Sequence, residues 1–122
     1  MKVAVTTYDR DISGKVDLSF GRAKWFVVVD IESGSIEAHS NAQNVNALQG
    51  AGIQAAQNIA NLGVDIVLTG NVGPNAFKAL KAAGIRIFII DKDTEKADDA
   101  LSRWKSGSLK EVDDATIEGH WV

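Results

Sequence analysis

Residues 62–91 read LGVDIVLTGNVGPNAFKALKAAGIRIFIID, and this stretch decides the fold. Val64–Leu68 and Ile85–Ile90 are short apolar runs rich in β-branched side chains, the pattern of strands buried on both faces. Between them Ala76, Phe77, Leu80 and Ala83 recur at helical spacing and form one apolar face. Pro74 suits the first helical turn, where its missing N–H would have had no partner. Gly84 suits a left-handed cap at the helix end. The stretch is one βαβ unit, for which a right-handed crossover is expected.

The turn Thr69-Gly-Asn-Val-Gly-Pro74 carries the chain from a strand into a helix N-terminus. Unpaired N–H groups and the positive end of the helix dipole favour an anion there, and Gly70 and Gly73 allow close backbone approach. Tight turn geometry alone is the plainer reading of both glycines. The turn matches neither GxxxxGK[ST] nor GxGxxG.

Working outward, Lys2–Thr6 is a short apolar strand, and Lys24–Asp30 is a stronger one. Glu32-Ser-Gly-Ser35 signals a turn, so Ile36–Ser40 returns as a hairpin partner. Gln49–Leu62 reads as a helix with Ile53, Ala56, Ile59 and Ala60 inward, capped by Gly63. Its opening, Gln49-Gly-Ala-Gly52, places small residues at a helix N-terminus a second time. A last helix, capped by Asp93 or Thr94, buries Ala97, Ala100, Leu101 and Trp104. Leu109–Val122 reads as an exposed acidic tail with Ile117 and Trp121 as docking points. The order β-β-β-α-β-α-β-α predicts an α/β fold with a ribonuclease-H-like mixed five-stranded sheet, strand order 3-2-1-4-5, and helices on both faces. The chain is expected to be a single domain over 1–122, with its body at about 1–107 and a tail at 108–122.

In such a sheet the first strand and the Val64 strand are neighbours whose chains leave in opposite directions, which opens a ligand crevice at their C-terminal ends. Thr6, Thr7, Thr69, Gly70, Asn71, Gly73 and the helix opening Gln49, Gly50 and Gly52 are expected to converge there. Arg22 can add a fixed positive charge, with an ordinary surface arginine as the alternative. His39, in the middle of an expected edge strand, is the candidate metal ligand, against a plain exposed histidine; His120 beside Trp121 reads as a tail residue.

Composition narrows the chemistry. The 122 residues carry a net charge of −3 without a basic cluster, which argues against a nucleic-acid partner. Neither a run of membrane-spanning length nor a signal-peptide core is visible, so the expectation is a cytoplasmic protein with no membrane partner. The absence of cysteine removes thiolate nucleophiles and thiolate ligation of zinc or iron–sulfur clusters. The first strand has no carboxylate for a two-metal nuclease site, and no serine sits in a nucleophile elbow. Binding without catalysis is the expected role.

Phe20-Gly-Arg-Ala23 before an apolar strand, Gln49-Gly-Ala-Gly52 opening a helix, and Thr69-Gly-Asn-Val-Gly73 before Phe77-Lys-Ala-Leu80 and Ala83-Gly-Ile85 occur in an order and spacing similar to the dinitrogenase iron–molybdenum cofactor biosynthesis family. That family includes nitrogenase accessory and orange-protein-like members, and the resemblance covers about residues 1–105. It implies a ribonuclease-H-like fold and a non-enzymatic carrier of an anionic metal–sulfur cluster, of Fe–Mo–S or Mo–Cu–S type, in cluster assembly or delivery alongside other assembly proteins. A preassembled cluster brings its own sulfur, so a cysteine-free chain can hold it by N–H groups, arginine and apolar contact. Readings from other classes are a small-anion or nucleotide-binding regulatory module and a protein-interaction domain.

Overall fold

The computed structural model describes residues 1–42 and 50–112. The elements are β1 (Lys2–Thr7), β2 (Trp25–Asp30), β3 (Ile36–Ser40), α1 (Ala51–Asn61), β4 (Ile66–Thr69), α2 (Pro74–Ala82), β5 (Arg86–Ile89), α3 (Ala97–Lys105) and β6 (Lys110–Glu111). Val3, Ala4 and Val5 are wholly buried, because β1 has strands on both sides and covered faces above and below. It pairs antiparallel with β2, Val3 opposite Val29 and Thr6 opposite Phe26, and parallel with β4, Val3 opposite Ile66. The strand order is β3-β2-β1-β4-β5-β6.

The sheet thus has six strands where the sequence pointed to five. The first five keep the expected order, and Lys110–Glu111 joins antiparallel at the β5 edge, Ile89 opposite Lys110. Leu109 is buried, the Val112 N–H donates to Ile87 O (2.9 Å), and the Arg86 guanidinium grips Glu111 through two bonds (3.0 and 2.6 Å). A two-residue strand has no alternation to read; the β5 edge it covers creates it. The segment expected to open a free tail is therefore part of the sheet through Lys110–Glu111. Ile117, His120 and Trp121 lie outside the described residues.

Helices lie on both faces. Ala55, Ala56 and Ile59 of α1 and Ala76 and Leu80 of α2 pack with Ala4, Phe26 and Val67 on one face. On the other, Ala97, Ala100 and Leu101 of α3 and Val16 from the first loop pack with Val3, Val5 and Leu68. Two details differ from expectation. The buried stripe of α1 is Ala51, Ala55, Ala56 and Ile59, which turns Ile53 outward at 37% exposure. The N-cap of α3 is Lys96, not Asp93 or Thr94, and Thr94 is buried with its Oγ1 unpartnered. Asp98 and Asp99 instead complement the α3 dipole from its first turn. Among the described residues no helix is long and apolar enough to cross a membrane.

Candidate functional site

The two helices on the first face begin side by side. Pro74 is N1 of α2, and its N-cap Gly73 supplies no side-chain bond; the N-cap of α1, Gly50, supplies none either. Among the described residues, neither N-cap gives the first-turn amides of its helix a side-chain acceptor. Gly50 has φ 80°, in the left-handed region, so glycine is required there by the backbone. Gly73 has an ordinary extended backbone (φ −74°, ψ 168°), and a Cβ there would meet nothing within 4 Å.

A cleft of about 290 Å³ opens between these two mouths. Ala51, Gly52 and Ile53 line it from α1, and Pro74, Asn75 and Ala76 from α2. Asn71 and Gly73 of the turn before α2 and the loop residues Ser19, Gly21 and Arg22 complete the lining, and Ser19 and Asn71 lie side by side in a short bridge. The helices approach closely because Gly52 has no side chain: a Cβ there would lie 2.8 Å from Ala76 Cβ. Gly21 does the same for the loop, since its Cβ would lie 3.0 Å from both N and Cα of Gly52. Asn41 holds that loop in place by donating its Nδ2 protons to Gly21 O (3.1 Å) and Ala23 O (2.8 Å).

Of the residues expected to meet at the crevice, Arg22, Gly50, Gly52, Asn71 and Gly73 line the cleft together. Thr6, Thr7 and Thr69 do not; each is fully buried. Thr6 Oγ1 lies 2.6 Å from Asp17 O and 2.8 Å from Thr69 Oγ1. Its single proton goes to the carbonyl, so it accepts from Thr69. Thr7 Oγ1 donates to Asp9 O (2.5 Å). These hydroxyls satisfy a buried network and have no proton left for a ligand. Gly70 is likewise packed away: a Cβ would lie 2.6 Å from Leu18 Cβ, and the glycine is what seats the Leu18 segment against this turn. Asn71 anchors the same segment through its backbone, N to Leu18 O (2.6 Å) and O from Phe20 N (3.2 Å). Gln49 lies outside the described residues.

His39 is not part of the cleft lining. It is 33% exposed on β3, opposite Phe26, with Nε2 3.7 Å from Glu37 Oε1. Among the described residues no group of three or more His, Cys, Asp or Glu converges to hold a metal ion. Sequence reading missed Ser19, Gly21, Ala51, Ile53, Pro74, Asn75 and Ala76 as lining residues. The signal for Gly21 was present in Phe20-Gly-Arg-Ala23, but its role depends on a contact with Gly52 far along the chain.

The chain matches the family model described as dinitrogenase iron–molybdenum cofactor over residues 1–107. The protein belongs to that family. Among solved structures, the chain is similar to the apo form of the orange protein from Desulfovibrio gigas, at 38% identity and a TM-score of 0.90 over 95% of this chain and 96% of that one. A NifB-like protein from Thermotoga is 32% identical, with a TM-score of 0.84 over 97% and 98% of the two chains. An uncharacterized protein of Methanocaldococcus jannaschii is 31% identical over 96 residues, 77% of this chain and 80% of that one. Family membership connects the chain to iron–molybdenum cofactor biosynthesis or binding.

Proposed function

We propose that the protein is a non-enzymatic carrier, built on a ribonuclease-H-like sheet, that holds an anionic metal–sulfur cluster of Fe–Mo–S or Mo–Cu–S type in the cleft between α1 and α2 and delivers it to partner assembly proteins in the cytoplasm. The observation that carries this reading is the meeting of two uncapped helix N-termini with Arg22 on one cleft. First-turn amides and the paired dipole ends attract negative charge, and the guanidinium adds a full positive one. Terminal sulfides of a preformed cluster accept N–H bonds and also tolerate the apolar surface that Ile53, Pro74 and Ala76 present. Such a cargo needs no protein thiolate, which fits a chain without cysteine. At about 290 Å³ the cleft lies at the small end of ligand sites, which suits a compact inorganic anion better than a nucleotide.

The test is anaerobic loading with tetrathiomolybdate and copper(I), or with an iron–sulfur donor, followed by gel filtration and visible absorption. Cluster colour that travels with the protein is the expected result. Loss of all colour on the column, or a thermal shift with inorganic phosphate and none with clusters, would overturn it.

A further inference from the structure

We propose that the carboxylate of Asp17 opposes anion binding in the cleft and so keeps the cargo releasable, an inference that rests on the carrier reading above. Among the described residues Asp17 is the one charged side chain in the buried set, 6% exposed; its buried polar companions are threonines and Asn41. It begins the segment that carries Ser19, Gly21 and Arg22 to the cleft wall. Its main chain is fastened to β1 twice, N to Thr6 O (2.9 Å) and O to the Thr6 hydroxyl (2.6 Å). Its Oδ1 accepts the N–H of Ser19 (3.0 Å), itself a lining residue. The carboxylate is thereby held one hydrogen bond away from the cleft lining.

The bond to Ser19 does not by itself account for the charge. It needs only an acceptor oxygen, which asparagine has as well. Burial pushes the Asp17 carboxyl up from its ordinary value, and this outweighs the opposing Ser19 N–H and the positive charge of Lys24. The protein thus keeps a buried charge that a neutral isostere would spare it, and sequences depart from local stability rules mainly at functional sites. Beside a site for anions, that charge has a definite consequence: it repels the guest at short range in a partly desolvated setting. The helix mouths and Arg22 pull the anion in, and Asp17 limits how firmly it stays. A carrier has to surrender its cargo, so a graded hold serves it better than a maximal one.

The test compares wild type with Asp17→Asn, loaded anaerobically with tetrathiomolybdate and titrated by visible absorption, with thermal unfolding as the check on the fold. Asp17→Ser, neutral and smaller, is the second variant should the asparagine variant fail to fold. The charge account expects the folded neutral variant to hold the anion more tightly, on the order of tenfold, and to release it more slowly. A purely structural Asp17 gives the opposite sign, because a loosened wall weakens binding. Equal or weaker binding by a folded neutral variant, with wild type still binding, overturns this inference alone. Failure of both proteins to bind overturns the carrier reading and this inference with it.

Discussion

Glycine at position 73 separates site from scaffold. Its backbone is one any residue adopts, and the space where a side chain would go is empty. Gly73→Val is therefore expected to fill the cleft mouth and abolish cluster retention while the thermal midpoint moves by only a few degrees. Unfolding of the variant would assign the glycine to the fold instead. Asp17 gives a stability prediction of known sign. Burial holds its folded pKa above the ordinary carboxylate value, so its favourable contribution is complete below the unfolded pKa and is lost as pH rises through the folded pKa. Asp17→Asn should then melt higher than wild type near pH 7 and lose that advantage toward about pH 4, measured by thermal unfolding across that range. A variant that melts lower than wild type at neutral pH would contradict this. The threonines explain why part of the site was illegible. A buried hydroxyl at a strand end reads equally as a ligand donor or as a partner for a neighbouring carbonyl, and Thr6, Thr7 and Thr69 turn out to be the second kind.

At the scale of elements, the site depends on how closely α1 and α2 approach. Gly52→Ala places a Cβ 2.8 Å from Ala76 Cβ, with no flexible group to give way. Overpacking of this kind costs about 1–3 kcal/mol, more than the ~1 kcal/mol that alanine gains over glycine in a helix. Urea unfolding should show the single variant destabilised and Ala76→Gly restoring part of the loss in the double variant; additive losses would deny the contact. The same close packing explains Ile53. A stripe of alanines lets the helices approach, and the larger side chain turns toward the cleft, where hydrophobicity alone would have buried it. The βαβ unit was legible because its strands are apolar on consecutive positions and Pro74 and Gly84 mark the helix ends. The sixth strand was not, because Lys110 and Glu111 carry no strand pattern and owe their conformation to the β5 edge and the Arg86 pair.

For the whole molecule, the sheet sets β1 beside β4 so that the chain turns away in opposite directions, and both helices on one face begin at that end. A ligand bound only to this folded arrangement stabilises it by mass action. The thermal midpoint should therefore rise with thiometallate concentration in wild type and stay flat in Gly73→Val; a rise of equal size in both would place binding elsewhere. The most direct test of the central claim, that backbone amides at two helix mouths hold the anion, is an amide nitrogen–proton NMR spectrum recorded with and without tetrathiomolybdate. The largest shifts are expected at Ala51, Gly52, Ile53, Asn75 and Ala76, with His39 unmoved. Shifts centred on His39, or none at the two helix openings, would contradict it.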